Sequence, residues 1–478
     1  MDVEGWLARA AATRPNVTAI ETPSGSWSYE RLHLAARFGA GELSARGAGP
    51  GARMAIALPA GLDFAQALHA CLLLGAVAVP IDPRLTDSER EAIAAGCAVR
   101  VEEPIGEAPA ASASASASAS ASASASAPEP VSASQVLPAA TRHDLDATAV
   151  VIYTSGTTSA PRPVELSYGN ILWSALGSAV ALGLDPQERW LCALPLSHVG
   201  GLSILLRSAI YGTTAVVHER YETNRVLHAL REERITLVSL VATTLARLLD
   251  AGLENPPALR CALTGGGPVP AALVRRAEDA GVPVGLTYGL SESCSQVTTT
   301  PAAEFHAREA AGGDGEHGET TRLTAGPPLF CTRVQINSYQ EILVQGPTVA
   351  AGALSPDGWL HTGDLGALDE HGNLRVTGRK ADTIVSGGEN VAPAEVEAVL
   401  EAHPGVLEAA VLGRSDPQWG EAVTAIVLAR PGERLDADDL RAHCASALAP
   451  YKVPKQFTLR TEPLPRTRSG KLLRRELG

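Results

Sequence analysis

The sequence predicts an α/β fold: a large N-terminal domain of mixed β-sheets covered by helices, followed by a small C-terminal α+β domain. Three observations carry this. Short apolar, β-rich runs alternate with helical segments along most of the chain, the pattern of sheets layered with helices. The character of the sequence changes near residue 380. The length of 478 residues exceeds one ordinary core, so at least two domains are expected.

Residues 64–74 read as a buried helix that passes through Gly75 into a strand over 77–81, and 149–153 is a short apolar run that ends in a Thr/Ser/Gly loop. Between them, 109–127 is an almost unbroken Ala-Ser alternation flanked by Pro and Glu. Such a tract has no bulky apolar groups to fix one conformation, so a disordered insertion over about 105–135 is expected inside the first domain. Further strands are expected at 190–194, 214–218, 236–240, 259–263 and 282–286, with helices such as 224–232 and 243–251 among them. Residues 378–388 are charged and glycine-rich, and a compact helix follows. Pro393 suits its first turn, Val396, Val399 and Leu400 form its apolar stripe, and His403-Pro404 closes it. The boundary is therefore placed between an N-terminal domain, 1–380, and a C-terminal domain, 381–478. The latter should hold strands near 409–412 and 425–428 and end in a basic tail.

Composition narrows the function classes. Hydrophobic residues make up 45% and aromatics only 4%, which suits an aliphatic core. A net charge of −13 opposes polyphosphate backbones and anionic lipid surfaces, so neither a nucleic-acid nor a membrane partner is expected. No signal-type segment opens the chain and no apolar run reaches about 18 residues, so a cytoplasmic location is expected. Homo-oligomerisation stays open. The seven cysteines are scattered and never in CxxC spacing, which argues for buried thiols over disulfides or zinc, and the twelve histidines form no HExxH.

Five segments carry candidate chemistry. The first, Tyr153-Thr-Ser-Gly-Thr-Thr-Ser-Ala-Pro161, runs from a strand into hydroxyl residues around Gly156. Thr154, Ser155, Gly156, Thr157 and Thr158 offer donors that can wrap a polyphosphate, although alone this is a Ser/Thr-rich turn. The second, Thr287-Tyr-Gly-Leu-Ser-Glu-Ser-Cys-Ser-Gln296, places an aromatic, a hydroxyl and a carboxylate close together, a set that suits adenine stacking, phosphate contact and Mg²⁺. Taken alone, Glu292 reads as a solvated loop carboxylate before a metal ligand. The third, Gly358-Trp-Leu-His-Thr-Gly-Asp364, sets Asp364 after a glycine turn, able to accept from a diol; in isolation it is a turn aspartate. The fourth is Gly378-Arg-Lys-Ala-Asp-Thr-Ile-Val-Ser-Gly-Gly-Glu-Asn-Val-Ala-Pro-Ala-Glu-Val-Glu397. The fifth, Pro465-Arg-Thr-Arg-Ser-Gly-Lys471, puts a lysine on a glycine turn.

In this order the five segments resemble the adenylate-forming superfamily of acyl-CoA synthetases, luciferases and peptide-synthetase adenylation domains, over nearly the whole chain. The segments 194–212, 264–268, 289–296 and 386–390 look more narrowly like o-succinylbenzoate:CoA ligases. The resemblance implies an ATP-dependent, Mg²⁺-requiring acid:CoA ligase, with CoA as cosubstrate and a small-molecule carboxylic acid, o-succinylbenzoate, as substrate. It places Gly265, Gly266, Gly267 and Tyr288 around adenine, Gly289 in the nucleotide site, Asp364 and Arg379 on ribose, Ser291 on the α-phosphate and Glu292 on Mg²⁺. Lys471 becomes the adenylation lysine. His198, Arg207, Ser293, Ser295 and Gln296 line the acid pocket, and Ser386, Gly387 and Gly388 face the pantetheine channel; from the residues alone Arg207 reads equally as a surface or core-pairing arginine and His198 as a satisfied core histidine. The small domain becomes mobile, turning about Ala381.

The family's phosphate loop runs Ser-Gly-Thr-Thr-Gly-Lys-Pro-Lys-Gly; here Ser159, Ala160, Arg162 and Pro163 replace its second Gly, both Lys and its last Gly. One cation is lost, and slow adenylation follows as an expectation. Motifs leave open a ligase for another aryl or acyl acid, an enzyme loading a carrier protein, and a catalytically weak nucleotide-binding relative.

Overall fold

The computed structural model describes residues 1–106, 142–154, 162–302, 324–386, 389–466 and 472–477. The Ala-Ser tract lies outside them. By spatial proximity the chain forms two compact units, one of Met1–Leu172 with Leu196–Arg220, the other of Trp173–Pro195 with Tyr221–Gly478.

The first unit holds a sheet in the order Val99–Val101, Arg53–Ile56, Val77–Pro80, Thr148–Thr154, Arg162–Ser167. The first four strands run parallel and the last turns back antiparallel. Parallel strands need crossovers, and the helix Leu62–Leu73 supplies one. Its residues from Phe64 to Leu73 are buried, as the apolar run predicts. A second helix, Asp87–Ala94, begins with a capping box between Thr86 and Glu89, and Tyr29–Ala45 is capped by the Ser28 hydroxyl.

Under this unit's first helix lies a cluster the sequence did not announce. His143 stacks on Tyr168 with ring centroids 4.3 Å apart and meets Trp6 edge-on at 4.9 Å. Burial lowers His143 to about 4; burial, then His143 and His33, lower His69 to about 4. Both rings are therefore neutral in the folded chain at pH values where the unfolded chain takes up protons. The stability they confer is complete above pH ~6.5 and is lost as pH falls toward 4, with a slope of about 1.4 kcal/mol per pH unit for each ring. Urea unfolding midpoints should fall steadily between pH 7 and pH 5; a flat profile over that window would contradict neutral burial.

The second unit carries the parallel strands Arg189–Cys192, Leu237–Leu240, Cys261–Thr264 and Val284–Leu290, ended by antiparallel Ser295–Thr299. All match expected strands to within a few residues except the last, which was not anticipated. A four-stranded antiparallel sheet follows, Arg333–Ile336, Glu341–Gln345, Leu360–Leu368 and Leu374–Arg379, around Val297, Ile342, Val344 and Leu374.

Beyond residue 380 the chain forms its own sheet from Ile384–Ser386, Glu389–Val391, Val406–Asp416, Gly420–Ala429 and Gln456–Arg460. The helix Pro393–Glu401 has Pro at its first turn and buries Val396 and Leu400 against this sheet's core. The basic tail is not solvated throughout. Leu464 and Leu477 pack with Ala410 and Ile426, because the tail's leucines complete an apolar face that the sheet leaves open. All seven cysteines are free, but Cys97 and Cys331 are half-exposed, which corrects the expectation of uniformly buried thiols. No helix among the described residues is long and apolar enough to cross a membrane.

Candidate active site

In the second unit the strand Cys261–Thr264 ends with Thr264 opposite Leu286 of its parallel neighbour Val284–Leu290, and ligands in open α/β sheets gather at such carboxyl ends. Gly265, Gly266 and Gly267 follow one strand directly. A side chain on Gly265 would stand 2.6 Å from the Thr287 carbonyl oxygen, and Gly266 has φ +77°. Glycine is thus required for the backbone to turn here and to lie against the neighbouring strand.

That neighbour continues into the second motif. Its pairing with Ser295–Thr299 bulges between Tyr288 and Gly289, after which the chain tightens into a 3₁₀ turn at Ser291–Ser293 and reverses. A Cβ on Gly289 would lie 1.6 Å from the Ser295 carbonyl oxygen. Gly289→Ala is therefore expected to destabilise the fold by about 3 kcal/mol or more, read as a lowered urea midpoint; an unchanged midpoint would mean the turn tolerates a side chain. Cys294 sits in the left-handed region at φ 54° and Ser295 follows at φ 91°. The Ser293 hydroxyl is engaged by this turn, accepting from the Leu290 N–H at 3.0 Å and donating to the Leu290 carbonyl at 3.1 Å. Gln296 is buried; its amide nitrogen donates to Thr299 at 2.7 Å, while its Oε1 has no hydrogen-bond partner among the described residues.

Glu292 is half-buried, and its backbone carbonyl accepts from the Ala350 N–H at 2.8 Å. Its carboxylate has no hydrogen-bond or ion-pair partner among the described residues, and no group of three or more metal-ligating side chains forms there. A lone carboxylate suits Mg²⁺, which keeps waters and substrate phosphate oxygens as its other ligands.

Asp364 completes the cluster. The Tyr288 hydroxyl donates to its Oδ2 at 2.8 Å, and Arg379 Nε lies 2.9 Å from its Oδ1. Asp364 and Arg379 are register partners on adjacent antiparallel strands, which explains how residues fifteen apart meet. The carboxylate is 7% exposed, and burial, reinforced by the Asp364 charge, pushes the Tyr288 hydroxyl well above its ordinary value, so it stays a donor. Each carboxylate oxygen keeps acceptor capacity for a further donor.

Two residues that sequence reasoning missed hold this turn. Glu341 Oε1 accepts from the Gly363 N–H at 3.1 Å, and the Thr362 hydroxyl donates to the Ile342 carbonyl at 2.8 Å while accepting from the Asp364 N–H at 3.0 Å. Glu341 opens the apolar run Ile342-Leu343-Val344, and a single charge there carries no readable signal of a contact twenty-two residues on.

The remaining expected residues fall elsewhere. In the first unit, His198 is the half-buried N-cap residue of the helix Val199–Tyr211, on which Arg207 is 2% exposed. Thr154 ends its strand opposite Arg162, whose carbonyl accepts from the Thr154 hydroxyl at 3.3 Å. In the C-terminal sheet Ser386 is buried, its hydroxyl without a hydrogen-bond partner among the described residues, and Ala381 lies exposed in the 3₁₀ turn Lys380–Asp382. Ser155, Gly156, Thr157, Thr158, Gly387, Gly388 and Lys471 lie outside the described residues.

Comparison with known proteins gives this geometry a setting. The AMP-binding enzyme model matches residues 7–354, and the model of the AMP-binding enzyme C-terminal domain matches 395–471. A 2-succinylbenzoate–CoA ligase of Bacillus subtilis is 36% identical, over 99% of this chain and 97% of its own length, and one from Bacillus licheniformis is 36% identical over the full length of both. Among solved structures, the o-succinylbenzoate CoA synthetase of Bacillus subtilis in complex with the acyl-adenylate intermediate OSB-AMP superposes with a TM-score of 0.83 at 33% identity, covering 100% of this chain and 98% of that one. The same enzyme with ATP and magnesium ion gives 0.82 at 33% identity, covering 100% of both. Matches of this length, across both family models and on the same fold, leave one assignment: the chain belongs to the AMP-binding enzyme family.

Proposed function

We propose that the chain is an ATP-dependent acid:CoA ligase that converts o-succinylbenzoate to its CoA thioester through an acyl-adenylate, releasing AMP and pyrophosphate. The observation that carries this is the full-length similarity to 2-succinylbenzoate–CoA ligases, joined to the Tyr288–Asp364–Arg379 cluster.

In this reading the ribose hydroxyls donate to Asp364, whose position Arg379 and Tyr288 hold, and adenine lies between Tyr288 and the backbone of Gly265, Gly266 and Gly267. Ser291 contacts the α-phosphate. Glu292 would hold Mg²⁺, which neutralises charge on the phosphates when bound. Thr154, with Ser155, Gly156, Thr157 and Thr158 after it in sequence, supplies donors for the β- and γ-phosphates. The acid's carboxylate attacks the α-phosphorus, so two anions converge and negative charge accumulates. Lys471 supplies the cation at that point, lowering the barrier by stabilising charge that develops in the transition state.

For the acid, Arg207 would be the cation for the second carboxylate. The domain division is taken at residue 381, with Ala381 as the hinge. A turn there withdraws Lys471 and brings Ser386, Gly387 and Gly388 to the pantetheine arm, so one site serves both half-reactions in sequence. The thiolate then attacks the mixed anhydride and AMP leaves.

The test is pyrophosphate release by the purified protein with ATP and Mg²⁺, against o-succinylbenzoate, benzoate and simple fatty acids, with and without CoA. Turnover with o-succinylbenzoate that CoA completes is the expected result. Preference for another acid moves the substrate and keeps the chemistry. No release with any acid assigns the chain to nucleotide binding without turnover, as the altered loop at Ser159, Ala160 and Pro163 would allow.

A further inference from the structure

We infer that Arg474 is a positioning residue for the adenylation half-reaction, clamping the stem of the loop that carries Lys471 to the hinge. The inference rests on the roles proposed above for Lys471 and Ala381. Arg466 and Leu472 form an antiparallel bridge, the Leu473 N–H donates to the Pro465 carbonyl at 2.9 Å, and Leu464 and Leu477 are buried in one cluster. Only residues 467–471 separate the bridged pair, so whatever fixes the stem limits where Lys471 can reach.

Arg474 fixes it through three partners at once. Its Nη2 lies 2.6 and 2.7 Å from the two Glu397 oxygens, its Nη1 3.4 Å from Asp382 Oδ2, and its Nε 3.4 Å from the Val411 carbonyl oxygen. Glu397, largely buried on the helix Pro393–Glu401, also accepts from the Val411 N–H at 2.7 Å. The tail, the helix and the long strand Val406–Asp416 therefore meet at one guanidinium, whose rigid fork of donors can serve several acceptors in fixed directions.

Asp382 immediately follows Ala381. On the other side of Ala381, Lys380 Nζ lies 3.6 Å from Glu341 and Arg379 lies 2.9 Å from Asp364. Ion pairs thus hold the chain before and after Ala381, while the Ala381 methyl group has no polar atom by which to be restrained. A rotation concentrated at that residue carries Asp382, Arg474 and the Lys471 stem as one piece. Displacing a charge-stabilising group by about 1 Å costs on the order of a hundredfold in rate, so the clamp matters to the step that uses Lys471 and much less to the step that does not.

The test separates the half-reactions: acid-dependent ATP–pyrophosphate exchange reads adenylation, and thioester formation from supplied o-succinylbenzoyl-adenylate and CoA reads the second step. Arg474→Lys keeps a charge beside Glu397 but loses the fork; exchange should fall about tenfold or more while the second step stays within about threefold. Asp382→Asn should lower exchange in the same direction without stranding a buried charge. Should Arg474→Lys fail to fold, the Glu397→Gln/Arg474→Gln pair, which removes both charges together, takes its place with the same expected split. Equal losses in both steps would make Arg474 merely structural, and unchanged exchange in the folded variants would overturn the clamp. Lys471→Ala is run beside them. If it leaves exchange intact, the lysine's role and the clamp fall together; if it abolishes exchange and the Arg474 variants do not, only the clamp falls.

Discussion

Lys471→Ala is expected to lower acid-dependent pyrophosphate release by about 10²–10³-fold, the range seen when one preorganised stabiliser of developing charge is removed from an active site. The physical reason is the approach of two anions in the first step. A lysine ammonium there contributes a positive charge with three donors, and nothing else in the five motifs supplies a cation assigned to the attacking oxygen. Asp364 and Arg379 neutralise one another at 2.9 Å. Thioester formation from supplied adenylate should fall far less, because that step begins after the anions have met. A loss of equal size in both steps would place Lys471 in the fold of the small domain instead of in the chemistry.

Asp364→Ala carries the second large effect. It removes an acceptor that the Tyr288 hydroxyl and Arg379 both use, and leaves two donors beside a nucleotide that has lost its ribose partner. Hydrogen bonds to charged groups contribute about 1.5–3 kcal/mol each, so kcat/KM for ATP should fall by about 10²-fold, expressed mainly as a raised KM. Arg379→Lys offers a finer comparison: the charge remains, but the directed Nε contact is lost, and a smaller rise in KM is expected. An unaltered KM for ATP in Asp364→Ala would remove this cluster from the nucleotide site.

These variants touch residues that the sequence singled out, and the reasons for that legibility differ. The parallel strands of the second unit could be read because strands covered by helices are continuously apolar and short, as at residues 259–263 and 282–286. The helix at Pro393 could be read from its proline, its stripe and its His-Pro stop. Gly265 and Gly289 carried a signal whose cause became visible only in space: each faces a backbone carbonyl too close for any side chain. Ser295–Thr299 escaped notice because its hydroxyl-rich pattern, Ser-Gln-Val-Thr-Thr, lacks the apolar alternation by which a strand is recognised.

By itself the sequence determined the α/β class, the change of character near residue 380, the order of the five motifs and the identity of the groups capable of chemistry. These follow from local properties: period, turn residues and the functional groups themselves. Tertiary structure alone decided that Tyr288, Asp364 and Arg379 share one carboxylate, that Glu341 holds the Gly363 turn, that the Ser293 hydroxyl is engaged by its own backbone, and that Arg474 joins Glu397 to Asp382. Such contacts depend on strand register and on which chain ends meet. Register is set by the packing of whole sheets, and no window of neighbouring residues contains it.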